Sequence, residues 1–182
     1  KKAGVECPTL ASAANALTKI AYKRKIASKG WVNKVPPGSA PRVAVVVHVY
    51  YQELWQEISQ RLQRLSIPYE LLVTTTGDSE SQVASLVKQD FPSARIYASP
   101  NVGMDIIPFL NLIPVMLNER FDIAFKLHTK RGDGAEGSAW RNALLDALIG
   151  SSDTVSNIAA AMQAHMDIDV VGPASHYLSA KT

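Results

Sequence analysis

Two short segments hold most of the residues in this chain whose types and spacing could do chemistry: Asn101-Val102-Gly103-Met104-Asp105 and Lys126-Leu127-His128-Thr129-Lys130-Arg131. The first brings a glycine and a carboxylate to a turn that leads into an apolar, helix-forming run. The second places three cations and an imidazole where a buried strand should end. A carboxylate or an imidazole can take a proton from a reacting hydroxyl, while cations and the free amides of a helix start can hold phosphate oxygens. Together the segments read as a phosphate-handling cleft, an arrangement that a purely structural domain rarely needs.

The elements that must position these residues alternate along the chain. Arg42 to Val49 is almost unbroken in β-branched residues and reads as a central parallel strand buried on both faces. Tyr51, Leu54, Trp55, Ile58, Leu62 and Leu65 then fall on one helical stripe. A second strand is predicted at Tyr69 to Thr75, and Ser79 with Gln82 forms a capping box opening a helix that runs to Phe91-Pro92. Ala94 to Ala98 is the third strand. Asp105 precedes a helix that accepts Pro108 in its first turn and that Pro114 should bend or cut short. A fourth strand at Asp122 to Leu127, helices at Trp140 to Ile149 and Thr154 to Met166, and a fifth strand at Ile168 to Val171 complete the pattern. It specifies an α/β three-layer sandwich with a mostly parallel sheet and right-handed crossovers. In such sheets ligands sit beyond the carboxyl ends of the strands, at His48 to Tyr51, Thr74 to Asp78, Ser99 to Asp105 and His128 to Arg131.

The 182 residues, 47% of them apolar, suffice for one domain with a sizeable core. No apolar run has the length of a membrane span. The start, Lys1-Lys2-Ala3-Gly4, lacks both a signal peptide's hydrophobic stretch and an initiator Met, so the chain reads as a processed piece of something longer. The single Cys7 cannot form an internal disulfide, which fits a reducing, cytoplasmic setting. The net charge of +3 hides an asymmetry: Lys1, Lys2, Lys19, Lys23, Arg24, Lys25, Lys29 and Lys34 precede Pro41 with only Glu6 against them. Leu10, Ala14, Leu17, Ile20 and Ala21 recur at helical spacing. Residues 1–41 are therefore expected to form a basic helical arm followed by the linker Lys34 to Pro41, and residues 42–182 the α/β domain. The arm either meets anionic lipid at a membrane surface or another polyanion, or packs on the domain. Nucleic acid is a poor candidate, because the cations are not interleaved with aromatics.

Several chemistries are excluded. The first predicted strand is followed by Val49-Tyr50-Tyr51-Gln52, where a dinucleotide fold or a P-loop needs glycines for backbone approach to phosphate. A serine elbow between glycines is absent, and four scattered histidines with one cysteine offer no zinc-ligand spacing.

From His48 through Pro173 the chain resembles the rhamnan synthesis protein F family, glycosyltransferase-like domains of bacterial polysaccharide assembly. The resemblance rests on His48-Val49-Tyr50-Tyr51 with Leu54 and Trp55, on Asn101 through Leu110, on Lys126-Leu127-His128-Thr129-Lys130, on Trp140-Arg141 with Leu144-Leu145, and on Val171-Gly172-Pro173. It implies a nucleotide-diphospho-sugar transferase fold of the GT-A type. It further implies a donor such as dTDP-rhamnose and a growing glycan or lipid-linked acceptor. The family pattern carries basic residues on either side of the glycine in Asn-x-Gly-x-Asp, where this chain has Val102 and Met104. The alternative is a module that binds nucleotide-sugar or glycan without turnover, a reading also open if the catalytic apparatus is truncated after Pro173.

A departing diphosphate must be stabilised by a divalent metal or by fixed cations. Sugar transferases of this general fold that use metal place an acidic pair near the end of a central strand, whereas this chain has Lys126, His128, Lys130 and Arg131 there. The expectation is a cationic clamp, with no cofactor required, Mg or Mn optional, and no residue assigned to metal. Asp105 and His128 are the candidate catalytic residues. His48, Asn101, Gly103, Lys126, Lys130 and Arg131 are the candidate donor and phosphate contacts, and Trp140 is a candidate sugar or acceptor contact. Each has a plainer role open to it. Asp105 makes a good helix N-cap, Lys126 a structural ion pair with Asp105, His128 a hydrogen-bonded structural histidine, and Trp140 a core anchor. Lys130 and Arg131 can be solvated loop charges, Asn101 a turn residue, and Gly103 the supplier of a positive φ. The segment Gly132 to Gly137 is expected to be flexible enough to close over a ligand.

Overall fold

The computed structural model describes residues 40–165 and 167–173. The expected basic arm with Cys7, and Met166 at the end of the last predicted helix, lie outside the described residues. Four strands form one all-parallel sheet: β1 (Val43–His48), β2 (Glu70–Thr76), β3 (Arg95–Ser99) and β4 (Ile123–His128), in the order β3-β2-β1-β4. Five helices accompany them: α1 (Trp55–Leu62), α2 (Glu80–Asp90), α3 (Ile106–Asn118), α4 (Gly134–Ile149) and α5 (Ser152–Ala164). The α/β fold with a parallel sheet matches the sequence pattern.

The layers follow from handedness. As the chain steps outward from β1 to β2 to β3, right-handed connections keep α1 and α2 on one face; when it turns back to pair β4 with β1, the same rule sends α3 to the other. Accordingly Val43, Val45 and Val47 share a core with Trp55, Ile58, Leu62, Val83 and Val87, joined by Leu145 and Ile149 of α4 and Val155 and Ile158 of α5. Ala44, Val46 and Leu72 point the other way and meet only Leu112 and Met116 of α3 among buried residues. Among the described residues one face thus carries four helices and the other a single helix. β1 and β4 run side by side, with His48 opposite His128 in register, at the place where the strand order reverses.

Four expectations need correction. No strand forms at Ile168 to Val171 among the described residues. There Asp167 and Asp169 interrupt the apolar run, the amide of Ile168 turns back to the His165 carbonyl, and Val170 is exposed. Pro114 neither ends nor shortens α3, which runs on to Asn118. The capping box at Ser79 does not form: Ser79 precedes α2 without a side-chain bond to it, while Gln82 accepts from Gln52 at 3.2 Å. Finally, the segment Gly132 to Gly137 is not a loose loop. Residues from Gly134 belong to α4, and a Cβ on Gly132 would stand 2.6 Å from the Cα of Gly137, so the two glycines permit a backbone-to-backbone contact that pins the turn.

Among the described residues, no helix is long and apolar enough to cross a membrane.

Candidate functional site

Alternation along β4 directs Ile123, Phe125 and Leu127 into the four-helix face and leaves Lys126 and His128 on the face of α3. Alternation along β1 does the same for His48. The turn before α3 supplies the fourth group. It runs through two successive residues with positive φ, Gly103 at 70° and Met104 at 54°. A Cβ on Gly103 would fall 2.1 Å from Cγ1 of Ile107, so glycine is required there for space as well as conformation. The tight turn delivers Asp105 to the carboxyl edge of the sheet.

Asp105 occupies the residue before α3, yet its carboxylate does not cap the helix. Instead Oδ2 accepts a hydrogen bond from Nζ of Lys126 and lies 3.5 Å from Nδ1 of His128. The cap reading and the catalytic reading are thereby separated, because the carboxylate faces the strand ends rather than the helix amides. Burial opposes ionisation of Asp105, but the bond from Lys126 and the charges of His128 and Lys126 outweigh it and hold the carboxyl below the usual range. Burial lowers His128 below the ordinary imidazole value, against the raising effect of Asp105, with Lys126 and Lys130 adding to the depression. His48 is buried, lowered for the same first reason, and shares a hydrogen bond of 3.0 Å with Oγ1 of Thr74. At neutral pH the cluster is one carboxylate, one ammonium and two uncharged imidazoles. An uncharged imidazole whose one nitrogen faces a carboxylate has its other nitrogen oriented and available to take a proton.

The other candidates divide. Asn101 is exposed and lines a cleft of about 360 Å³ at the ends of β2 and β3, with Thr76, Asp78 and Ser99. Lys130 leans its ammonium over the Trp140 ring, 4.8 Å from the centroid. Arg131 pairs with Glu53 and stacks on Tyr51 at 4.5 Å. These two cations point to partners on the α1 and α4 side, although the charge of Lys130 is still felt at His128. The structure therefore brings together His48, Asp105, Lys126 and His128, with Gly103 shaping the turn, and sets Asn101, Lys130, Arg131 and Trp140 around them. Among the described residues no group of three His, Cys, Asp or Glu side chains, the cluster of His48, Asp105 and His128 included, is arranged to hold a metal ion.

Sequence reasoning missed two supports. Oγ1 of the buried Thr129 accepts from the amides of both Tyr50 and Tyr51, at 3.0 and 2.9 Å, and the Thr129 amide donates to the His48 carbonyl at 3.0 Å. This strap ties the end of β4 to the end of β1. Arg141 makes a two-pronged pair with Glu57, at 2.6 and 2.8 Å, and donates to the Lys130 carbonyl at 3.2 Å, fixing the segment after β4. The signals were present: a threonine directly after a buried strand, and an arginine within an apolar helix.

A sequence model of rhamnan synthesis protein F matches residues 15–178. The chain belongs to that family. The match contains all four clustered residues and extends upstream of His48, where the resemblance begins on motifs alone. The chain is 28% identical over 140 residues to WxcX, an uncharacterized protein of Xanthomonas campestris pv. campestris strain B100, covering 76% of this chain and 20% of the relative. It is 30% identical over 112 residues to WxcX of strain ATCC 33913, covering 61% and 16%. The chain thus spans about a fifth or less of the curated relatives it matches. No solved structure matches it significantly. The family's description connects it with polysaccharide synthesis.

Proposed function

We propose that this domain is the donor-binding and transfer unit of a glycosyltransferase that adds a deoxyhexose, rhamnose-like, from a nucleotide-diphospho-sugar to a growing bacterial glycan. The observation that carries the reading is the convergence of Asp105, Lys126, His128 and His48 where β1 and β4 end side by side. That is the crevice in which open parallel sheets bind ligands. The architecture is compatible with a fold of the GT-A type, though with four strands and a cationic rather than diacidic strand end.

In this reading the acceptor hydroxyl attacks the anomeric carbon. A carbon–oxygen bond forms to the acceptor, the bond to the diphosphate oxygen breaks, and that electron pair leaves with the nucleoside diphosphate. The acceptor's proton passes to the free nitrogen of His128, which Asp105 orients through the other. Lys126 holds Asp105 while the donor is absent and turns toward the diphosphate as charge develops there, with Lys130 within electrostatic reach. His48 and Asn101 flank the donor, and Trp140 lies beside Lys130 on the acceptor side.

One observation favours a non-catalytic binder: the Asp105 carboxylate is already engaged by Lys126, which leaves the cluster nearly neutral. Thermal-shift titration with dTDP-rhamnose, UDP-sugars and free nucleotides, with and without magnesium, tests for the donor site, and transfer of labelled sugar separates enzyme from binder. Lys126→Ala is expected to weaken donor binding about 10- to 100-fold, the worth of one charge-assisted hydrogen bond, with little loss of fold. Unchanged affinity would make Lys126 structural.

A further inference from the structure

A second opening lies outside the cluster, on the side of the sheet that α1 and α2 cover. Between the short turn Gln52–Leu54 and α2 runs a groove of about 510 Å³, lined by Gln52, Ser81, Gln82, Ser85, Leu86 and Gln89. Its volume is that of a small-ligand site. In a chain with 19% charged residues, this lining has three carboxamides, two hydroxyls, one leucine and no charge. α2 does carry Glu80, Lys88 and Asp90, but none of them lines the groove. The polar atoms are largely uncommitted. Nε2 of Gln52 donates to Oε1 of Gln82 at 3.2 Å, which leaves the Gln52 oxygen and the Gln82 nitrogen to serve a ligand. The Ser85 hydroxyl donates to the Ser81 carbonyl at 2.9 Å and keeps its acceptor lone pairs. Among the described residues, the side chains of Ser81 and Gln89 have no hydrogen-bond partner.

Such a lining selects its ligand by elimination. An ion finds no counter-charge among these residues. A flat apolar partner would strip water from five polar side chains for contact with one leucine. A neutral polyol answers them all, because each of its hydroxyls donates and accepts as a carboxamide does, while the C–H face and methyl of a deoxyhexose suit Leu86. From Ser81 to Gln89 the lining extends about 12 Å, at roughly 1.5 Å per residue, which gives room for a short chain rather than a single ring. The position fits as well. Gln52 directly follows Tyr51, whose amide the Thr129 strap ties to the end of β4, so one end of the groove is anchored to the strand ends that carry the cluster. The family is described by the synthesis of rhamnan, a polymer of a neutral deoxyhexose.

We propose that this groove holds a neutral oligosaccharide, the already assembled end of a rhamnose-type glycan, at a site separate from the cluster of Asp105, Lys126 and His128. The carboxamides of Gln52, Gln82 and Gln89 read its hydroxyls, and Leu86 receives its apolar face. The inference draws on the family's link to polysaccharide and not on the transfer step, so it holds for a transferase and for a binder alike.

Titration of the full chain with a rhamnose trisaccharide, read by calorimetry and by the glutamine side-chain amide signals in NMR, tests it. Saturable binding is expected, with the signals of Gln52, Gln82 and Gln89 shifting. Gln82→Ala with Gln89→Ala changes only exposed side chains, and thermal unfolding checks that the fold survives. That pair should weaken the trisaccharide at least about tenfold, the worth of two neutral hydrogen bonds. Lys126→Ala should leave the affinity as in the native chain, and an anionic galacturonate trimer should not compete. Absence of saturable binding to the native chain overturns the proposal. So does affinity that the glutamine pair leaves unchanged, or competition by the galacturonate trimer. Affinity abolished by Lys126→Ala but kept by the glutamine pair would move the glycan to the cluster and overturn it too. Donor titration is a separate readout: trisaccharide binding lost with donor binding intact removes the groove alone, and the reverse removes the transfer reading alone.

Discussion

The two ends of α3 carry the same kind of interaction and put it to different use. At its C-terminal end, Glu119 receives both guanidinium prongs of Arg95 at 2.7 Å, Arg95 also reaches the Tyr97 hydroxyl and ring, and Arg42 holds the Glu119 carbonyl. The side chains of Arg42, Arg95 and Glu119 there are each answered by another protein group. At its N-terminal end, Asp105 offers one oxygen to Lys126 and to His128, next to a second histidine, all on the carboxyl edge of the sheet. The first pair clamps a helix. The second leaves one nitrogen of an uncharged imidazole without an assigned task, and capacity for chemistry lies in that unassigned atom rather than in the ion pair.

The sharpest way to break the comparison is Asp105→Asn. It keeps the side chain's shape but removes the charge that orients His128, and it should lower sugar transfer about 100- to 10,000-fold, the span that proton transfer by a positioned base contributes. Labelled-sugar assays measure this, with donor affinity recorded in parallel. If transfer survives Asp105→Asn, the N-terminal pair is a clamp like its counterpart and the distinction fails.

Thr129→Val is the next largest. It withdraws the acceptor from the amides of Tyr50 and Tyr51, both at the junction of β1 and β4. Stability should fall by about 2 kcal/mol, the cost of leaving such donors unanswered, and urea unfolding would show it. Thr129→Ser, which keeps the hydroxyl, should restore most of the loss. The strap thus tests whether the site end depends on neutral hydrogen bonds where the other end depends on charge.

How far the sequence went can be judged at particular residues. The unbroken Val43 to Val47 run made β1 a central parallel strand, and the alternating pattern put a ligand beyond the carboxyl ends of all four strands, but only the sheet order shows that β1 and β4 end side by side. Period-two alternation puts Lys126 and His128 on one face of β4, and the cost of burying an unpaired ammonium points to a carboxylate such as Asp105 as the partner of Lys126. Tertiary context decided the rest. Whether Asp105 caps α3 or faces β4 depends on a turn with two positive φ values, one at Met104, which no propensity would assign to that residue. The glycines at 132 and 137 promised flexibility because glycine frees an isolated chain, but their missing side chains serve close packing. Ile168 to Val171 has β-branched residues, but Asp167 and Asp169 break the apolar run and the Ile168 amide turns back to the His165 carbonyl, so no strand forms there among the described residues.

At the scaffold end, Arg95→Met should cost about 1 kcal/mol, since the pair is two-pronged but more than a third exposed, and it should leave donor binding and transfer untouched. A measurable change in either would show that α3 transmits strain from one end to the other and that its two pairs are one device.

The smallest expected effect sets the ends apart by pH alone. His48 and His128 are held below the ordinary imidazole value of about 6.5, so below that pH the unfolded chain binds more protons than the folded one. Their contribution is complete above about pH 6.5 and is lost as pH falls through the lowered folded values. Glu119 is held low first by its hydrogen bond from Arg95, so its contribution persists to more acid conditions and is lost only below the ordinary glutamate value of about 4.3. Urea midpoints between about pH 8 and pH 3 should therefore decline in two stages. Replacing both histidines with Asn should flatten the upper stage, whereas Arg95→Met should only reduce the lower one, to which Asp105, Glu53 and Glu57, also held low, contribute as well. A single decline, unaffected by the histidine pair, would mean that the imidazoles titrate freely and that burial does not hold them in the uncharged form on which the proton-accepting role of His128 rests.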